Sequence, residues 1–182
     1  MTLKSLTFGL CIILMSACTN DVSQFAIEGN PLEAGRRSNT TIEVLEVSLP
    51  LYMQGQDIPV MDETGAIKTS DGAVWADDPA RSISLNLAES LSRLSGGIAS
   101  VEPWPLDEPA LKRLDVRVKT LLANNLGILE FRGQYFLTPD DGSKPKVDWF
   151  NIAVPMRALD ARSIAHATGI ATQQLAREIL GR

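Results

Sequence analysis

Alternating apolar and polar residues mark much of the second half of this chain as β-structure. Residues 113–119 alternate between charged and branched apolar side chains, which predicts a strand with one buried and one wet face. Residues 129–137 repeat this period of two, and Gly133 interrupts them as a candidate bulge. Residues 147–154 complete the pattern. We therefore predict three successive antiparallel strands in this region.

The first half of the domain combines strands with one crossing helix. A β-branched run over 40–49, ended by Pro50, predicts a largely buried strand. Short paired strands are predicted around 56–61 and 73–75. A strand over 98–101 follows the helix. Because the helix crosses between them, the strand over 40–49 and the strand over 98–101 are candidates for a parallel pair.

Two stretches carry the period of amphipathic helices. The first has a clear start and end, since Asp78 can cap it, Pro79 occupies its first position and Gly96 follows its last turn. From Asp160 a second helix closes the chain. The apolar faces consist of Ile83, Leu87, Leu91 and Leu94 in the first helix, and of Ile164, Ala167, Ala171, Leu175 and Ile179 in the second. Helices between and after strands predict an α/β fold, a single-domain sandwich with a mixed sheet of about five strands packed by helices.

The N-terminus follows a different pattern from the domain. Lys4 precedes an apolar run over 6–15, and two small residues lead from this run to Cys18. Positive charge, apolar run and small residues are the layout of a secretory signal peptide. The run is shorter than the roughly 20 apolar residues that cross a bilayer. The predicted division of the chain is a signal peptide over 1–17, a lipidated N-terminus and tether over 18–38, and a domain over 39–182. A short edge strand at Phe25 and Ile27 is an alternative for part of the tether.

Composition and charge narrow the classes of function. The net charge is −5 without a stripe of Lys and Arg, which argues against a nucleic-acid partner. Both cysteines, Cys11 and Cys18, precede the predicted domain, so the domain has no thiol for a disulfide, a metal site or a nucleophile. His166 is the only histidine, so a multi-histidine metal site is excluded. The sequence also shows no set of partners that would make His166 part of a catalytic triad. We interpret it as a residue flanking the apolar face of the last helix.

No group of residues predicts catalysis or cofactor binding. Asp77 and Asp78 are adjacent at a helix start, where capping explains them better than paired acid–base chemistry does. Residues 95–97 lack the spacing and the lysine of a phosphate-binding loop. We therefore predict that the protein is not an enzyme and holds neither a cofactor nor a metal.

The candidate partner contacts are aromatic residues and a neighbouring proline. Trp104 lies between two prolines, where the rigid backbone can present the indole to a partner. Packing within the domain is the alternative for each of these residues. The candidates are Pro50, Tyr52, Trp75 and Trp104, and Trp149 belongs to the same conspicuous set.

Several short motifs stand in an order that resembles a known family. The cysteine after small residues resembles a bacterial lipobox. The further motifs are Val-Ser-Leu-Pro-Leu-Tyr at 47–52, Val-Trp-Ala-Asp-Asp-Pro at 74–79, Glu-Pro-Trp-Pro at 102–105 and Leu-Ala-Arg-Glu-Ile-Leu at 175–180. Together they resemble the ABC-type transport auxiliary lipoprotein family, the group of PqiC. The chain departs from the family at Met61-Asp62-Glu63, where members often carry a basic residue.

The resemblance carries expectations about location and function. The lipobox implies cleavage before Cys18 and acylation of its sulfur and amino group, and Thr19 implies transfer to the outer membrane, facing the periplasm. The family implies a non-catalytic subunit of an envelope lipid-transport system. It would dock a periplasmic MCE-domain protein, which works with an inner-membrane transport component. A homo-oligomeric ring around a symmetric partner is a hypothesis. The alternative is a free-standing structural or assembly-factor lipoprotein of the outer membrane.

Overall fold

The computed structural model describes residues 21–181, so the predicted signal peptide and Cys18 lie outside the described residues. Within that range, strands and helices follow one another along the chain, with a short 3₁₀ turn, Leu51–Met53, after the second strand. The elements are β1 Ser23–Phe25, β2 Thr41–Val44, β3 Asp57–Met61, β4 Ile67–Trp75, α1 Pro79–Ser95, β5 Ile98–Val101, β6 Lys112–Ala123, β7 Ile128–Pro139, β8 Lys146–Pro155 and α2 Ala161–Leu180.

The strands form one mixed sheet organised around β6. On one side, β6 pairs antiparallel with β7 along its length, and β7 pairs with β8. On the other side, β2 pairs parallel with the start of β6, while β3 meets β6 at its last residue, Ala123. The other edge of β2 pairs parallel with β5, which confirms the predicted parallel pair. The other edge of β3 pairs with β4, and β4 in turn pairs with β1.

The predicted strand number of about five is wrong, because eight strands of the described region join the sheet. β6 is long enough for two separate strands to share one of its edges. β3 uses the far end of that edge and brings β4 and β1 into the sheet with it.

The stretch predicted as a tether is partly folded onto the domain. This stretch contains β1, which begins at Ser23 and pairs parallel with β4. Ile27 is buried in the core. The backbone of Asn30 exchanges two hydrogen bonds with the side chain of Gln173, at 3.2 and 2.6 Å. Among the described residues, regular structure therefore begins at Ser23, within the predicted tether.

Both helices begin where the sequence pattern predicts, and α1 also ends where it predicts. The Asp78 carboxylate accepts the Arg81 amide at 2.8 Å, and Asp160 accepts the Ser163 amide at 2.7 Å. α1 ends at Gly96 in the left-handed conformation. α1 packs against β2 and β5, α2 packs against β7 and β8, and the helices pack against each other. Neither is long and apolar enough to cross a membrane, and the described region holds no other helix that is.

The irregularity predicted at Gly133 lies on the opposite strand instead. The register shifts between Val118 and Thr120 of β6. A Cβ added at Gly133 would lie 2.3 Å from the carbonyl oxygen of Arg117 and 2.8 Å from the ring of Phe150. Glycine is needed at this position because backbone and ring approach too closely for a side chain.

Candidate docking surface

One face of the sheet is covered by the helices, and the other face is the candidate site. Side chains alternate between the two faces along each strand, so residues between buried positions point away from the helices. We call this surface the open face. It consists of Glu43 on β2, of Arg113, Asp115 and Arg117 on β6, of Glu130, Arg132, Gln134 and Phe136 on β7, and of Val147, Trp149 and Asn151 on β8.

Aromatic side chains lie on the β7–β8 side of the open face. Trp149 is 68% exposed and lies opposite Gln134 in the ladder. Val147 is also exposed and lies opposite Phe136. The guanidinium of Arg117 stacks over the ring of Phe136, 4.9 Å from its centroid. This arrangement presents flat apolar surface beside hydrogen-bond donors, as protein interfaces do.

Ion pairs on β2, β6 and β7 lie beside these aromatic side chains. Arg113 Nε lies 2.9 Å from Glu43 Oε2, Arg117 Nη2 lies 2.7 Å from Asp115 Oδ2, and Arg132 pairs with Glu130. The hydrogen bond to Asp115, together with its charge, raises the pKa of Arg117 above the usual value for arginine. Water screens such exposed pairs, so they stabilise the fold little. Their main consequence is an open face whose charges are locally balanced.

Trp104 lies at the end of the open face where β6 begins. Its indole N–H donates to the carbonyl of Glu108 at 2.7 Å, and its backbone amide donates to Glu43 Oε1 at 3.2 Å. A shallow groove of about 300 Å³ separates it from the start of β6 and the end of β7. Trp104 is therefore half-buried, held in one orientation, and forms one wall of a groove.

Trp75, predicted as a partner contact, is placed in the core. Its side chain is only 2% exposed, and it lies opposite Phe25 where β1 joins β4. A partner cannot reach the indole without opening the sheet edge. The structure therefore corrects this prediction for Trp75, which contributes to packing.

Pro50 and Tyr52 shape a corner of the fold. The carbonyl of Pro50 accepts the Met53 amide at 2.9 Å, which closes the 3₁₀ turn. The hydroxyl of Tyr52 accepts the Leu121 amide at 3.2 Å, on the edge of β6 that β2 and β3 leave unpaired between them. The most exposed side chain of this corner is Leu51. Among the four predicted contacts, only Trp104 lies at the open face.

Sequence reasoning did not single out Trp149 or Leu51 as the exposed positions. In β8 the buried residues are Phe150, Ile152 and Val154, so the alternation implies that Trp149 points the other way. That signal is weak because apolar residues occupy both faces of this strand. Deciding which face the helices cover requires the tertiary structure.

Carboxylates and the histidine show local structural roles. Asp78 caps α1, and Asp77 accepts the Asp78 amide at 2.8 Å and pairs with Arg81, as the capping interpretation predicts. His166 is exposed on α2, and its Nδ1 lies 3.1 Å from the carbonyl oxygen of Glu28. Between residues 21 and 181, no group of three His, Cys, Asp or Glu side chains is placed to hold a metal.

Comparison with protein families decides the classification. The family described as the ABC-type transport auxiliary lipoprotein component matches residues 26–180. The chain belongs to this family. The resemblance drawn from the ordered motifs is thereby confirmed. Membership makes this transport auxiliary lipoprotein a component of a transport system, and the lipoprotein character of the family is consistent with association with a membrane.

Solved structures share the fold of this auxiliary lipoprotein. A protein described only as uncharacterized is 16% identical, with a TM-score of 0.68 over 85% of this chain and 96% of that chain. A Xanthomonas campestris protein of family DUF330 is 14% identical, with a TM-score of 0.66 over 87% and 93% of the two chains. At these identities the likeness concerns the fold alone.

A third structure is more distant. The PelC dodecamer from Paraburkholderia phytofirmans is 14% identical, with a TM-score of 0.44 over 81% of this chain and 90% of that chain. A TM-score this low says nothing about how this chain assembles. A comparison with curated proteins gives no match.

Proposed function

We propose that this auxiliary lipoprotein is a non-catalytic subunit of an MCE-type envelope lipid-transport system. It docks the periplasmic MCE-domain protein at the outer membrane and thereby supports membrane integrity. The observation that carries the proposal is the open face, a sheet surface without helices that exposes Trp149 in a chain whose family serves transporters.

The open face has the properties of a protein-binding surface. Trp and Arg dominate the residues that contribute most to binding in protein interfaces. Here Trp149 and the Arg117–Phe136 stack form an aromatic patch, and the ion pairs of β2, β6 and β7 lie beside it. The groove beside Trp104 offers a second, smaller contact at the start of β6. A partner that buries the indole of Trp149 gains hydrophobic stabilisation that the free chain lacks.

Anchoring of the chain supports the docking role. Cys18 follows the apolar leader and is the proposed site of acylation, with Thr19 directing the lipoprotein to the periplasmic face of the outer membrane. Two or three acyl chains hold a protein stably in a bilayer, whereas one alone does not. The anchor therefore leaves the open face free for a partner.

Assembly of several copies follows from the symmetry of the proposed partner. A ring around a tubular MCE assembly requires the same surface on every copy. In the described sheet, β8 pairs only with β7, so it has an unpaired edge available for a neighbouring copy. Native mass spectrometry of the intact complex should detect more than one copy, and a single copy per complex would contradict the ring.

A pull-down tests the proposed function. The C-terminally tagged chain is recovered from its native host in a gentle detergent, and the proteins that accompany it are identified by mass spectrometry. We expect an MCE-domain protein together with an inner-membrane transport component. Recovery of the lipoprotein alone, or with a barrel-assembly machine, would instead support the free-standing structural or assembly role.

A matched pair of variants locates the contact. Trp149→Ala should reduce recovery of the MCE-domain protein at least tenfold, since an interface anchor of this kind contributes about 2 kcal/mol or more. Leu85→Ala removes an exposed apolar side chain from α1, away from the open face, and should leave recovery unchanged. Equal recovery with Trp149→Ala and the wild type would show that docking uses another surface.

A further inference from the structure

The chain enters the fold at the end of the sheet where β6 terminates. β1 runs parallel to β4, and β4 begins with Ile67 opposite Met61, the last residue of β3. β3 meets β6 through Val60, which lies opposite Ala123. The chain therefore reaches Ser23 from the side on which β6 ends, opposite to the side of Trp104.

The distance from the proposed anchor to this end is short. Four residues lie between Cys18 and Ser23, which makes five steps from one Cα atom to the next. An extended chain spans at most about 3.6 Å per residue, so β1 starts within about 18 Å of the acylated cysteine. With so short a connection, the end of the domain that the chain enters must lie near the bilayer surface.

Apolar side chains are exposed at this same end. They are Val22 before β1, Ile67 at the start of β4, Leu126 in the turn between β6 and β7, and Leu159 between β8 and α2, each between 45% and 77% exposed. The last two segments are joined, because the Met156 amide donates to the carbonyl of Gly127 at 2.8 Å. Isolated exposed leucines are ordinary, but several at one end form a surface suited to a membrane interface.

A groove with two cationic side chains lies beside these residues. It encloses about 760 Å³ between β1, the end of β8 and the first turns of α2. Arg157 and Arg162 line it together with one acidic residue, Glu28, and the guanidinium of Arg162 lies 5.6 Å from the ring centroid of Phe25. Neither arginine forms an ion pair with a carboxylate of residues 21–181. Guanidinium groups that lack a carboxylate partner are suited to bidentate binding of phosphate.

We propose that this end of the domain is seated on the bilayer, with Arg157 and Arg162 binding the phosphate groups of phospholipids in the anchoring leaflet. Leu126 and Leu159 then lie among the headgroups. The proposal rests on the acylation of Cys18 that belongs to the proposed function. β6 stands away from the membrane in this arrangement. The groove beside Trp104 is consequently held about the length of β6, roughly 35 Å, from the surface.

Tryptophan reporters test the seating of the lipidated full chain in nanodiscs that contain brominated phospholipids. Leu126→Trp should be quenched several-fold more strongly than Leu111→Trp, because the bromine atoms lie within the bilayer. Leu111 is the matched control, since it is 55% exposed and precedes β6 at the opposite end. The three native tryptophans, Trp75, Trp104 and Trp149, are common to both variants, and the chain without a reporter gives their signal. Equal quenching of the two reporters would overturn the proposal.

Neutralising the arginines tests the phosphate contact. The double variant Arg157→Gln with Arg162→Gln is made in the Leu126→Trp chain. On an anionic membrane, each lost charge should lower the ratio of domains that contact the bilayer to domains that do not by roughly fivefold. The control is Arg36→Gln with Arg37→Gln, because these exposed arginines precede β2, which pairs with the start of β6. The role of Arg157 and Arg162 would be overturned if quenching persisted when both are replaced. It would also be overturned if quenching fell equally in the control variant.

Acylation of Cys18 and contact of the domain with the bilayer are tested by separate measurements. Intact-mass measurement of the purified chain reports acylation of Cys18 before any quenching is recorded. A chain without acyl groups overturns both the proposed anchoring and the inference that rests on it. An acylated chain that recovers its MCE partner but shows no preferential quenching overturns the seating alone.

Discussion

The two faces of the sheet are made from alternate residues of the same strands, yet they have different roles. In β8, Phe150 is 2% exposed beneath the helices, whereas its neighbour Trp149 is 68% exposed on the open face. Both side chains are large and aromatic. Their different environments arise because α1 and α2 cover only one face. Hydrophobic residues on the covered face stabilise the fold, and those on the open face are available to a partner.

Packing on the covered face is tight. The rings of Phe131 and Phe150 meet edge to face, with centroids 4.9 Å apart. Gly133 lies beneath Phe150 with no room for a side chain. On the open face, by contrast, Arg117 and Asp115 pair in contact with solvent. Substitutions should therefore affect stability on the first face and binding on the second.

The largest expected difference is between two neighbouring aromatic residues. Phe150→Ala should lower the free energy of unfolding by about 3–5 kcal/mol, because it leaves a cavity in the core. Trp149→Ala should change it by no more than about 0.5 kcal/mol, because the side chain is exposed. Urea unfolding of both variants measures the contrast. A comparable loss in both would mean that the open face is packed within the chain itself.

An added methyl group should be costly on the covered face. Gly133→Ala should destabilise the fold by about 1–3 kcal/mol, since the new Cβ collides with the backbone of β6 and the ring of Phe150. Gly55→Ala is the control, because its Cβ would meet only the Asp57 amide nitrogen, at 4.0 Å. Thermal unfolding distinguishes them. If Gly133→Ala is as stable as Gly55→Ala, the two strands are less closely packed than the structure shows.

The smallest expected effect concerns the ion pairs of the open face. Arg117→Ala should shift the unfolding midpoint less than either core substitution, because the side chain of Arg117 is 64% exposed and water screens its pair with Asp115. Raising the salt concentration should reduce even this difference. A large and salt-independent shift would indicate that the Arg117–Phe136 stack supports the fold as well as the open face.

Local features of the fold could be predicted well from the sequence. The caps at Asp78 and Asp160, the stop at Gly96 and the alternation in β6 depend on residues within a few positions of one another. The partner contact predicted for Trp104 stays a prediction, and the structure places this residue at the open face, held by hydrogen bonds to Glu43 and Glu108. Trp75 was predicted to contact a partner, but its side chain is buried. Its burial depends on segments that are far away in the chain, which the sequence around Trp75 does not reveal.

The sequence by itself determined where both helices begin, where the first one ends, which strands alternate, and to which family the chain belongs, because periodicity, capping and ordered motifs are local properties. Only the tertiary structure decided that β2 and β3 share one edge of β6, that β1 joins β4 from within the predicted tether, and that Trp149 rather than Trp75 is exposed. These features depend on pairing between strands about 50 or more residues apart and on which face the helices cover. Neither is encoded in any short stretch of sequence, since several pairings satisfy the same local pattern.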